Sequence, residues 1–131
     1  MYSIRKYNES SDFVMLHRWN AVYGALGPSK PMIPIESSFV LEMDNEPAAF
    51  LSVILTNVNF CYMENFVGNP KFKYKRLEEL KALINHAAQF AKERGHDRCI
   101  AMTSHPKLAA RYQLYGFEPT INVSAFLWRT K

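Results

Sequence analysis

Between Asn59 and Gly95 an apolar run, a proline stop, a basic turn and a long amphipathic helix follow one another without interruption, and this succession limits the folds open to the chain. Asn59-Phe-Cys-Tyr-Met-Glu-Asn-Phe-Val67 reads as a buried strand. Gly68-Asn69-Pro70 ends it, because Pro70 has no N–H for a ladder and keeps its predecessor out of the helical region. Lys71-Phe-Lys-Tyr-Lys-Arg76 then places Lys71, Lys73, Lys75 and Arg76 within six residues. The helix that follows carries Leu77, Leu80, Ile84, Ala87, Ala88 and Ala91 on one stripe and stops at Gly95. A basic turn leading into a helix N-terminus is a candidate anion cradle, since free backbone N–H groups and the helix dipole both favour phosphate. The same turn also reads as ordinary solvated surface.

The rest of the chain supplies the partners of that unit. Tyr2 to Tyr7 reads as a first strand, and Ser10 or Ser11 as the cap of a helix carrying Phe13, Leu16, Trp19 and Val22 to about Gly24. Pro28, Pro31 and Pro34 keep residues 24–37 out of regular helix, leaving an extended loop with room for one short turn. A loop this long either walls a substrate cleft or is a packed connector. Ser38 to Met43 and Pro47 to Thr56 flank the hairpin signal Asp44-Asn45-Glu46, and Asn57-Val58-Asn59 leads tightly into the apolar run. Three consecutive antiparallel strands therefore precede the long helix. Beyond Gly95, Arg98 to Thr103 reads as a strand, Pro106 opens a helix capped by Ser104 or His105 that ends at Gly116, and Ile121 to Trp128 alternates as a last strand.

A chain of 131 residues, 48% hydrophobic and 14% aromatic, is long and apolar enough for one domain, residues 1–131, with a real core. The net charge of +4 suits a phosphate-bearing small ligand and is too weak to argue for nucleic acid. Cys61 and Cys99 fall in expected strands and read as small buried hydrophobes of a reducing compartment, without a disulfide. No secretory signal and no apolar run of bilayer length is apparent, so a cytoplasmic setting without membrane attachment is expected. With no His-x-x-x-His pair and no cysteine cluster, no metal site is expected either.

The order strand, helix, three antiparallel strands, helix, strand, helix, strand resembles the GNAT superfamily of acyl-CoA-dependent N-acyltransferases. Three segments carry the resemblance. Glu64-Asn-Phe-Val-Gly-Asn-Pro70 resembles the family's fourth strand and its exit, and Leu77 to Gly95 its central helix. Ser104 to Phe117, with Tyr112-Gln-Leu-Tyr-Gly-Phe117, resembles the closing Asn-x-x-Ala-x-x-x-Tyr-x-x-x-Gly-Phe region. The resemblance implies an α+β, three-layer fold: a mixed, mostly antiparallel sheet flanked by helices. It also implies acetyl-CoA or another acyl-CoA as co-substrate, an amine acceptor that is a small molecule or peptide, and a monomer or homodimer. In size and in its altered loop the chain also resembles compact phage-encoded GNAT-like proteins.

The family's acyl-CoA loop reads Gln/Arg-x-x-Gly-x-Gly/Ala, whereas the aligned residues here are Lys73-Tyr74-Lys75-Arg76-Leu77-Glu78. Lys73 keeps a cation, but Arg76 and Glu78 fill both small positions, and a Glu side chain repels phosphate. Lys71, Lys73, Lys75 and Arg76 are then the groups that supply charge to a diphosphate, with Tyr74 and Leu77 in the same turn. His105 stands where the family usually has Asn, and is read as a pantetheine contact, a second base or a simple helix cap.

Acyl transfer from a thioester to an amine needs a polarised carbonyl, a proton for the departing thiolate and a base for the ammonium. The resemblance implies that a bulged fourth strand presents the backbone N–H of Phe66 or Val67 to the carbonyl oxygen. It places Tyr112 on the tyrosine that protonates the leaving sulfur, against the plain reading of a ring packed on the sheet; a phenol of pKa about 10 keeps its proton at neutral pH. Glu64, partly withdrawn from water on the strand, is the candidate base, against an ion pair or a solvent-facing residue. Two other readings remain: a catalytically inactive GNAT-fold binding module, and a nucleic-acid contact through Lys71 to Arg76 with Phe72 and Tyr74 stacking.

Overall fold

The computed structural model describes residues 1–72, 77–102, 106–114 and 116–119, with the side chains of Leu77, Pro106, Lys107, Leu108 and Arg111 left out of the description. Strands β1 (Tyr2–Lys6), β2 (Ser38–Met43), β3 (Glu46–Leu55), β4 (Phe60–Gly68) and β5 (Arg98–Ala101) lie side by side in that order. The first four pair antiparallel, and β4 pairs parallel with β5. Helix α1 (Glu9–Val22) joins β1 to the loop before β2, α2 (Leu77–Glu93) crosses from β4 to β5, and α3 (Pro106–Leu114) follows β5. A parallel pair needs such a crossover, which is why the long helix stands between β4 and β5.

The sheet separates two apolar layers. On one face Phe39, Leu41, Leu51, Val53, Cys61 and Met63 meet Leu83, Ile84, Ala87 and Ala91 of α2 and Tyr112 of α3. On the other, Val40, Phe50 and Val67 meet Leu16 and Trp19 of α1, together with Tyr7 and Ile33. Alternation along β2 and β3 assigns successive residues to opposite layers, so both faces of the central strands are dry. The expected α+β three-layer architecture is the observed one.

Local chemistry explains most of the joints. Asp44 and Asn45 take φ of 51° and 66°, the pair of positive values of a type I′ turn, and join β2 to β3. Gly95, at φ 87°, closes α2 as a left-handed stop. Pro47, which has no N–H to offer a ladder, lies where the β2–β3 register shifts and Ala48 is the extra residue.

Some expectations need correction. The cap of α1 is Asn8, whose side chain accepts from the Ser10 N–H; neither Ser10 nor Ser11 caps it. The reason is tertiary: buried Asp12 takes a two-pronged ion pair from Arg5 on β1, at 2.8 and 2.9 Å, and also accepts the Asn8 N–H at 2.8 Å. That fixes where the helix can begin. Val22 is 68% exposed, because the last turn of α1 runs past the layer it covers. Residues 24–37 hold two 3₁₀ turns, Lys30–Met32 and Ile35–Ser37, rather than one, and Ile33 between them is buried. β5 ends at Ala101, short of Thr103. The expected cap of α3 at Ser104 or His105 and the last strand, Ile121 to Trp128, lie outside the described residues.

Candidate active site

The site is built on β4. Its ladder with β3 pairs Phe50 with Val67 and Ser52 with Glu64, so two steps along β3 are matched by three along β4. The extra residue makes a β-bulge at Asn65-Phe66, and Asn65 takes φ 60° to form it. Asparagine is one of the few residues that visit the left-handed region at low cost. A bulge re-aims the backbone groups around it, which is how a strand can present N–H donors to something other than its neighbour. Of the two expected carbonyl-oxygen donors, Phe66 lies in the bulge, whereas Val67 returns to the register opposite Phe50.

On its other side, β4 pairs with β5 through Phe60↔Arg98 to Met63↔Ala101. Among the described residues that ladder ends there, while β4 continues to Gly68. The bulge therefore falls just past the point where the two parallel strands part. At the closed end Cys61 and Cys99 are register partners with Sγ atoms 3.3 Å apart, both free thiols. Burial, reinforced by the neighbouring sulfur, pushes the Cys61 thiol up to about 12.

Glu64 opens the bulge, half-buried opposite Ser52. Its carboxyl is raised above the ordinary glutamate range by burial, which disfavours the charged form. A carboxylate made more basic in this way accepts a proton more readily than an ordinary glutamate. Tyr112 approaches β4 from α3: it is 8% exposed, its ring centroid 6.3 Å from that of Phe66 and 5.2 Å from that of Phe117. Phe66 and Tyr112 thus meet on the α2 side of the sheet, and Glu64 lies beside the bulge opposite Ser52. Asn65 is not among the residues expected from the sequence; an asparagine in the middle of a mostly apolar strand was the available signal.

Past β4, Asn69 donates to the Pro47 carbonyl at 2.8 Å and Pro70–Phe72 forms a 3₁₀ turn. Lys71, expected among the phosphate ligands, reaches both carboxylate oxygens of Glu46 at 2.9 and 3.0 Å. Lys73, Tyr74, Lys75, Arg76 and His105 lie outside the described residues, and of Leu77 only its place as the first residue of α2 is described. Glu78 is exposed in the first turn of α2.

No protein-family model and no curated protein matches the sequence. Solved structures do match the fold over nearly the whole chain. An aminoglycoside acetyltransferase from an uncultured soil metagenomic sample, in complex with sisomicin, superposes with a TM-score of 0.73 at 17% identity, covering 99% of this chain and 97% of that one. The ribosomal-protein-S18-alanine N-acetyltransferase of Escherichia coli gives 0.71 at 18%, over 92% and 80%. A predicted acetyltransferase from Clostridium acetobutylicum, solved with acetyl-CoA, gives 0.65 at 17%, over 97% and 96%. In element order, sheet topology and overall superposition, the chain has the GNAT acetyltransferase fold.

Proposed function

We propose that the protein is an N-acetyltransferase that moves an acetyl group from acetyl-CoA to a primary amine. The observation that carries this reading is the bulge at Asn65-Phe66 beside the parting of β4 from β5, with Glu64 and Tyr112 brought to it from a strand and a helix. An acyl-CoA fits the described residues at this point: past Met63 the edge of β4 extends beyond its ladder with β5, where an amide-bearing pantetheine arm can run alongside a strand. Structures of similar fold carry acetyl-CoA or coenzyme A, which supports the same co-substrate here. Lys73, Lys75 and Arg76 are proposed to hold its diphosphate, Tyr74, Leu77 and His105 to contact the cofactor, and Lys71 to add charge at the rim.

When bound, the thioester supplies an electrophilic carbonyl and a thiolate leaving group. The backbone at Phe66, or at Val67 one residue on, donates hydrogen bonds to the oxygen as it gains charge. Glu64 takes the proton that the attacking ammonium must lose, directly or through a water. The Tyr112 hydroxyl gives a proton to the departing sulfur. Acceptors named for neighbours of this fold include aminoglycosides and an alanine of ribosomal protein S18, so a small-molecule or peptide amine is the proposed class.

A second reading, a GNAT-fold module without catalysis, is favoured by Arg76 and Glu78 at positions where the family has small residues. Thiol release from acetyl-CoA in the presence of amine panels separates the two. Amine-dependent release supports the transferase, whereas acetyl-CoA binding without release at any amine supports the module.

A further inference from the structure

Asn65 does more than shape a bulge. Its Nδ2 group donates one hydrogen to the Met32 carbonyl at 3.4 Å and the other to Ser52 Oγ at 3.3 Å. Ser52 Oγ lies 2.8 Å from Ser38 Oγ, and Ser38 Oγ donates to the Pro34 carbonyl at 2.6 Å. With the Ser38 proton committed to Pro34, Ser52 must donate to Ser38, which leaves Ser52 Oγ as the acceptor for Asn65. The chain of bonds thus has one direction, from Asn65 through two fully buried serines to the loop. Both of its ends reach carbonyls that flank Ile33, the loop residue sunk 4% exposed in the core beneath α1.

Resting on the transferase reading above, we propose that Asn65 is a positioning residue: from the bulge of β4 it holds Met32–Pro34 as the wall against which the acceptor amine binds. The strand that presents the carbonyl-oxygen donors and the loop that faces the acceptor are then set by one side chain. A left-handed backbone and a two-hydrogen amide donor are both required at this position, and asparagine supplies both.

Two variants keep the backbone and remove the tether. Asn65→Asp tolerates the left-handed region but turns an acceptor toward the Met32 carbonyl, while Asn65→Gly accepts φ 60° and has no side chain. The loop stays attached through Ile33 and through His17 Nε2, 2.9 Å from the Pro28 carbonyl. Amide hydrogen exchange at Met32 and Ile33, whose N–H groups close the Lys30–Met32 turn onto Ser29 and Lys30, should quicken roughly tenfold in both variants. KM for the amine should rise by about the same factor, with KM for acetyl-CoA unchanged within about twofold. Unchanged exchange in both variants overturns the tether. Faster exchange with an unchanged amine KM overturns the acceptor wall. If the wild-type protein releases no thiol with any amine, the transferase reading fails by itself, and the exchange rates still decide whether Asn65 holds the loop.

Discussion

The ring of Tyr112 on α3 stands edge-on to that of Phe66 in the β4 bulge, with centroids 6.3 Å apart and planes at 62°. A residue proposed as acid and a residue proposed to present the backbone donor are therefore packed against each other, so each fixes the other's place. The aromatic contact belongs to the ring, and the proposed chemistry to the hydroxyl.

Tyr112→Phe separates the two roles. Keeping the ring keeps the contacts with Phe66 and Phe117, so thermal stability should change by less than about 1 kcal/mol. Loss of the proton donor should lower kcat by about 10²-fold with acetyl-CoA binding unchanged. Equal kcat in the two proteins assigns Tyr112 to packing alone.

Glu64→Gln should act in opposite directions on activity and stability. The folded carboxyl is raised by burial, so folding binds its proton more tightly than the unfolded chain does. Its contribution is favourable below the unfolded value and is lost as pH rises through the folded one. At pH 7 to 8 the neutral amide should therefore raise the melting temperature while kcat falls by about 10²-fold. In the wild type, the acidic limb of kcat/KM should lie above the ordinary glutamate value of about 4.3. A variant that is both active and no more stable removes Glu64 from the base role.

Asp12 should make the fold sensitive to acid. Burial alone would push its carboxyl up, but the Arg5 guanidinium and the Asn8 N–H hold it below the usual carboxylate range. A depressed carboxyl stabilises the fold fully above its unfolded value of about 3.9, and that stabilisation is lost as pH falls through the folded value. Asp12→Ala leaves Arg5 with Glu42 and the Lys6 carbonyl and should cost about 3 kcal/mol in urea unfolding at pH 7. The loss should shrink steadily in acid.

Cys61 should be inert to thiol reagents in the folded protein. It is fully buried and its thiol is pushed up to about 12, so almost no thiolate is present at pH 8. Iodoacetamide mass mapping should modify Cys61 only after unfolding. Rapid labelling of the native chain contradicts the closed packing of β4 on β5.

Much of this was legible because it depends on local chemistry. Asp44-Asn45 favours positive φ whatever surrounds it, Gly95 ends a helix wherever one reaches it, and the α2 stripe from Leu80 to Ala91 announces a buried face. The cap of α1 was not legible, since Asn8, Ser10 and Ser11 are all good caps and the choice among them is made by Arg5, seven residues from Asp12. The bulge was expected from family resemblance, not from composition, because the backbone groups it re-aims belong to no side-chain type. Asn65 escaped notice for a different reason: its partners, Met32 and Ser52, lie on two other segments and meet it only when the sheet forms.

Acetyl-CoA titration of the wild-type protein followed by thermal unfolding tests the account most directly. A ligand that binds only the folded chain stabilises it by about 2.7 kcal/mol at a hundred times its Kd, so the melting temperature should climb with concentration and keep rising logarithmically above Kd. The account predicts that climb, and its loss in a Lys73→Ala/Arg76→Ala double variant. A wild-type melting temperature that stays flat to millimolar acetyl-CoA contradicts it.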